Sequence, residues 1–145
     1  MPQPTVTRYR DAEELANRAA HRLLRALIAF QAEEQVAQLC LTGGRIAQRI
    51  YARLAELVAD SELDPERLEL WWGDERFLPT DDPERNAGPT LATLAGRFPL
   101  APYRTHPMPA ADGLIDAGVG AATYAKELGD TRFDLVLLGM GEDGH

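Results

Sequence analysis

Between Asp11 and about Ala32, apolar residues recur at intervals of three and four: Leu15, Ala19, Leu23, Leu24, Leu27 and Ile28. Such spacing lines up one side of a 3.6-residue helix and predicts an amphipathic helix. Glu33 and Glu34 lead into Val36-Ala37-Gln38-Leu39-Cys40-Leu41, a short apolar run closed by Thr42-Gly43-Gly44. This reads as a buried strand ending in a tight turn. A second helical spacing runs from Ile46 through Ile50, Leu54 and Leu57 to Asp60. Asp64-Pro65 breaks it, because the residue before a proline is pushed out of helical backbone. Leu68 to Trp72 is a second strand, ending at Gly73. The polar, proline-bearing stretch 74–89 is then a loop. Thr90 to about Ala95 reads as a short helix, followed by a proline-rich connection through Pro99, Pro102, Pro107 and Pro109. Leu114 to Leu128 again has helical spacing, although Gly118 and Gly120 weaken a helix. Phe133 to Leu138 is a third apolar strand, running into Gly139-Met140-Gly141.

Short apolar strands alternating with helical segments predict an α/β fold: an open, mainly parallel, Rossmann-like sheet with helices on both faces, formed as one unit over residues 1–145. In such sheets ligands bind beyond the carboxyl ends of the strands, where loops converge and helix N-termini point outward. All three strands carry polar, glycine-rich sequence at that end: Thr42-Gly43-Gly44-Arg45, Gly73-Asp74-Glu75-Arg76 and Gly141-Glu142-Asp143-Gly144-His145. The expectation is one shared cleft.

Charge narrows the ligand class. The net charge is -8, from 23 acidic and 15 basic residues, and no segment gathers Lys or Arg into a patch. That argues against nucleic acid or a membrane surface as a partner. An acidic chain holds an anionic metabolite only by placing particular arginines and backbone N–H groups around it, so individual arginines become informative. Cys40 is the single cysteine, which rules out an intrachain disulfide or thiolate cluster and suggests a core residue. No three His, Cys or carboxylate ligands have metal-binding spacing. Neither a signal segment nor a membrane-length apolar window is present, and the expected location is the cytoplasm.

The motifs allow two kinds of reading. Thr42-Gly43-Gly44-Arg45 follows a strand and opens a helix, so it is either an anion cradle of N–H groups or a plain strand-to-helix turn. Asp74 and Arg76 alternate on extended chain and point to one side, while Glu75 points away and reads as structural. Asp81, Asp82 and Asn86 are turn-forming residues that also lie near the strand end. His145, beyond an apolar strand with Asp143 beside it, is placed for proton transfer near neutral pH. His21, within a helix, and His106, in the proline-rich connection, read as structural.

Taken together, three segments resemble the 6-phosphogluconolactonase family, related to the glucosamine-6-phosphate deaminases. They are Leu41 to Gly44; Trp72-Gly73-Asp74-Glu75-Arg76-Phe77 with Asp81-Asp82-Pro83 and Asn86; and Phe133-Asp134-Leu135 through Gly139 to His145. The resemblance implies the deaminase-type α/β fold, with the chain apparently incomplete at its C-terminal side. It also implies cofactor-free hydrolysis of 6-phospho-D-glucono-1,5-lactone to 6-phosphogluconate, in the pentose phosphate route. The catalytic set would be His145, oriented by Asp143, with Asp74 positioning water or a sugar hydroxyl. Thr42, Gly43, Gly44, Arg45, Arg76 and Asn86 would hold the substrate, in a monomer or small homo-oligomer. Arg45 stands where family members commonly continue the turn as Gly-Gly-Ser-Thr-Pro, so a hydroxyl contact would be either missing or replaced by its cation. Two other readings stay open. One is a deaminase/isomerase, whose relatives resemble Asp-Glu-Tyr where this chain has Asp74-Glu75-Arg76. The other is a non-catalytic sugar-phosphate-binding module, which would not need His145.

Overall fold

A computed structural model describes residues 1–34, 36–97 and 99–145. Helix α1 (Ala12–Glu34) leads to strand β1 (Ala37–Leu41), helix α2 (Arg45–Val58) and strand β2 (Leu68–Trp72). Helix α3 (Ala87–Ala95), strand β3 (Thr105–His106), helix α4 (Ala117–Leu128) and strand β4 (Leu135–Val136) follow. The four strands form one parallel sheet in the order β3-β2-β1-β4.

That order explains where the helices lie. From β1 the chain moves outward through α2 to β2 and through α3 to β3, then returns past both to place β4 on the far side of β1. Right-handed crossovers taken in opposite directions put their helices on opposite faces. Accordingly Leu39, Leu41, Leu68, Leu70 and Trp72 join residues of α1, α2 and α3 in the main core. On the reverse face Trp71 meets Tyr124 of α4 edge-on, with ring centroids 5.9 Å apart. Alternation along β2 does this sorting, since successive side chains leave opposite faces of a strand. Each fully buried leucine among them contributes about 1.5–3 kcal/mol of burial.

The long helices and the two inner strands match the sequence rhythm, and Cys40 is buried as expected. Three regions depart from it. Helix α3 begins at Ala87, not Thr90, because Gly88 and Pro89 fall in its first turn, where a proline's missing N–H has no helical partner to lose. Helix α4 forms despite Gly118 and Gly120 but begins at Ala117, not Leu114, because the Asp116 side chain caps it by accepting the Val119 N–H at 2.9 Å. The third difference is at the sheet edges. The proline-rich connection contains β3, in which Thr105 and His106 pair with Leu70 and Trp71. β4 pairs only Leu135 and Val136 with β1, although Asp134 and Leu137 still donate backbone N–H groups to Gln38 and Cys40 at either end. Asp134 also accepts the Gln38 N–H at 2.7 Å and so fixes this register.

His106 is thus part of the sheet. Its ring stacks on Trp71 with centroids 3.8 Å apart, and its two nitrogens lie 2.6 and 2.7 Å from Glu127 and Glu69. His21 sits at an exposed position of α1. Among the described residues, no helix is long and apolar enough to cross a membrane.

Candidate functional site

Strand order reverses on either side of β1, and a crevice opens at such a reversal because the loops leaving the two neighbouring strands diverge. Here the crevice is an open cleft of about 800 Å³ at the carboxyl ends of β1, β2 and β4. Thr42, Gly43, Gly44 and Arg45 line it from β1 and α2, Asp74, Arg76 and Asn86 from the loop after β2, and Gly139, Gly141, Glu142 and His145 from the segment after β4. The three polar strand ends therefore meet in one place. Asp143 is not among the lining residues; its carboxylate accepts the backbone N–H of His145 at 3.1 Å. That contact shapes the turn carrying the histidine.

The first turn is held from below. Tyr51, fully buried on α2, accepts the Thr42 N–H at 3.0 Å and donates its hydroxyl proton to the Thr42 carbonyl at 2.7 Å. Both peptide groups of Thr42 are thereby occupied, so a backbone cradle for an anion begins at Gly43. Burial pushes the Tyr51 hydroxyl up to about 12, and it stays a donor throughout the neutral range. Tyr124 treats the end of β2 in the same way. Its oxygen accepts the Trp72 N–H at 3.0 Å and lies within 3.0 and 3.3 Å of the carbonyls of His106 and Trp72, one of which takes its proton.

The two glycines have separate reasons. Gly44 has φ 103°, a backbone that side chains rarely adopt, and it opens α2 without a side-chain cap. Gly43 gives way to Asn86: a Cβ at position 43 would lie 1.8 Å from the Asn86 Oδ1. Asn86 is only 8% exposed, and its amide donates to the backbone and side-chain oxygens of Asp74 at 3.1 and 3.2 Å. The expected substrate-holding amide of Asn86 is thus already engaged in joining Asp74 to the first turn. Gly43→Ala in the full chain should lower stability by about 1–3 kcal/mol, as overpacking does. Calorimetric unfolding checks it, and Asn86→Ala in the same chain should relieve most of the added cost. Full additivity of the two substitutions would show that the contact does not govern this position.

Glu75 is absent from the cleft lining that Asp74 and Arg76 share. Its side chain is 3% exposed, and its two oxygens accept the N–H groups of Asn86, Ala87 and Arg76 at 2.6–2.9 Å. It caps α3 from eleven and twelve residues away. Asp82 is a turn residue, accepting the Glu84 N–H at 2.9 Å. Arg76 donates to the Glu84 carbonyl at 3.3 Å and remains exposed at the cleft.

One lining cation escapes motif reading. Arg49 follows Arg45 by one helical turn, and both face the cleft. No acidic residue occupies the first turn of α2, so Arg45 sits at the helix end that repels cations, with Arg49 one turn further in. Like charges four residues apart also repel. An anion in the cleft would relieve both costs. The 45/49 spacing at a helix start was the available signal. Among the described residues, no group of three or more His, Cys, Asp or Glu side chains could hold a metal ion.

Residues 10–145 match the family described as glucosamine-6-phosphate isomerases/6-phosphogluconolactonase. A 6-phosphogluconolactonase of Streptomyces coelicolor is 42% identical over an alignment covering 98% of this chain and 59% of the relative. The crystal structure of 6-phosphogluconolactonase from Thermotoga maritima superposes with a TM-score of 0.77 at 25% identity, covering 90% of this chain and 57% of that one. A monomeric glucosamine-6-phosphate deaminase gives a TM-score of 0.76, also at 25% identity, with 94% and 55% covered. The chain thus spans somewhat more than half the length of the relatives it matches.

Proposed function

Because the chain belongs to the glucosamine-6-phosphate isomerase/6-phosphogluconolactonase family, we propose that its cleft serves hydrolysis of 6-phospho-D-glucono-1,5-lactone to 6-phosphogluconate. The observation that carries this reading is His145 lining one cleft with Asp74, Arg45, Arg49 and Arg76. It puts an imidazole able to accept a proton in one cleft with cations suited to an anionic sugar phosphate.

In the reaction, His145 takes a proton from a water molecule whose oxygen bonds to the lactone carbonyl carbon. The bond from that carbon to the ring oxygen then breaks, and the same proton is returned to the departing oxygen. Acid–base transfer of this kind needs the histidine near both atoms. Asp143, through its bond to the His145 N–H, fixes the turn that presents the ring. Asp74, steadied by Asn86, faces the water or a sugar hydroxyl. Arg45, Arg49 and Arg76, with the free N–H groups opening α2, face the phosphate.

The direct test is the full chain assayed on freshly prepared lactone, with spontaneous opening subtracted, beside glucosamine 6-phosphate. Lactone opening without ammonia release is the expected result; ammonia release without lactone opening would assign the cleft to the deaminase branch. Arg76→Ala should raise KM about tenfold or more while kcat changes little, the loss expected when a charged hydrogen bond to bound substrate is removed. An unchanged KM with a lowered kcat would move Arg76 from ground-state binding to the transition state.

A further inference from the structure

Arg85 lies outside the cleft lining, yet it is one of the most deeply buried charges in the structure, with 3% of its side chain exposed. Its guanidinium donates to the carbonyls of Met108 at 2.7 Å and of Leu78 and Pro109 at 3.4 Å, and it stands 3.7 Å from a Glu75 oxygen. This single side chain ties the loop after β2 to the proline-rich connection and pairs with the carboxylate that caps α3. From Glu75 the linkage continues through hydrogen bonds. Glu75 accepts the N–H of Asn86 at 2.6 Å, and the Asn86 amide grips Asp74 and fills the space beside Gly43. Glu75 also accepts the N–H of Arg76 at 2.9 Å. Asp74, Arg76 and Asn86 of the cleft are therefore located, directly or through one neighbour, by the Arg85–Glu75 pair.

We propose that Arg85 is a positioning residue for the lactone-opening reaction, acting through Glu75 and Asn86 to set Asp74 and Arg76 against the first turn. The inference rests on the functional reading above. A guanidinium is needed because its planar fork reaches three carbonyls and a carboxylate at once, whereas a lysine ammonium is a point charge on a flexible stem. A displacement of about 1 Å in a group facing the reacting atoms costs as much as a hundredfold in rate.

The experiment is a double-substitution cycle in the full chain, read as kcat/KM on the lactone, at a temperature where circular dichroism shows every variant folded. Arg85→Lys should lower kcat/KM about tenfold or more in the otherwise unchanged chain. In an Asn86→Ala background the loss should be clearly smaller, because the branch to Asp74 is already cut and only the one to the Arg76 N–H remains. Equal losses in both backgrounds would overturn the inference, since a merely structural residue weakens every background alike. Glu75→Gln, which keeps the side chain's size but removes the ion pair and one acceptor oxygen, provides a second arm and should also be non-additive with Asn86→Ala. An unchanged chain that leaves the lactone at its spontaneous rate would instead overturn the functional reading, and this inference with it.

Discussion

Replacing His145 by alanine in the full chain is expected to lower kcat by about a hundredfold to ten-thousandfold, the usual contribution of a positioned general acid–base group. KM should change little, because the cations and backbone donors of the cleft belong to other residues. Spontaneous lactone opening sets the floor of this measurement and has to be subtracted at each pH. Near-normal kcat in the variant would remove His145 from proton transfer and shift the role toward Asp74. Asp143→Asn tests the support of the histidine. It keeps an oxygen able to accept the His145 N–H, so the turn should persist and the loss should not exceed that of His145→Ala.

Glu75→Ala is expected to be the most destabilising single substitution near the cleft. It removes the acceptor for three backbone N–H groups and takes the ion partner from the buried Arg85. Breaking a buried ion pair by removing one partner costs about 3–5 kcal/mol, because the remaining charge keeps its desolvation penalty. The three carbonyls around Arg85 hold the result toward the lower end of that range. Denaturant unfolding of the full chain measures it, with Glu75→Gln expected to lose less. A change below about 1 kcal/mol is typical of exposed pairs and would contradict the burial of this one. Arg76→Ala is the contrast: it should leave unfolding nearly unchanged and act on KM. If Glu75→Ala weakened binding more than Arg76→Ala while the fold held, the assignment of the two directions would be reversed.

The division of Asp74 and Arg76, which line the cleft, from Glu75, which does not, was readable in advance from the spacing of adjacent residues. The same holds for α1, α2, β1 and β2, and for the glycine-rich ends that meet at the cleft. Their signals are periodicity and turn chemistry acting within a few residues. Membership of a parallel sheet followed from the rhythm of apolar runs and helices, and that fold in turn located the cleft beyond the strand ends.

What only the tertiary structure decided are links between distant residues. β3 has two paired residues in a proline-rich segment, too short to leave a pattern; it forms because His106 stacks on Trp71 and meets carboxylates of β2 and α4. Asn86 looked like a turn residue with an amide free for substrate, but folding brings Asp74 and Gly43 to it and uses that amide. Thr42 likewise loses its backbone groups to Tyr51, nine residues on, and Trp72 meets Tyr124 across 52 positions. Arg85 reads in sequence as one more charge in a polar loop; burial makes it the anchor of that loop. Hydrophobic rhythm and turn residues are local and leave their mark along the chain, whereas the partner of a buried polar group is set by where the crossovers bring the backbone.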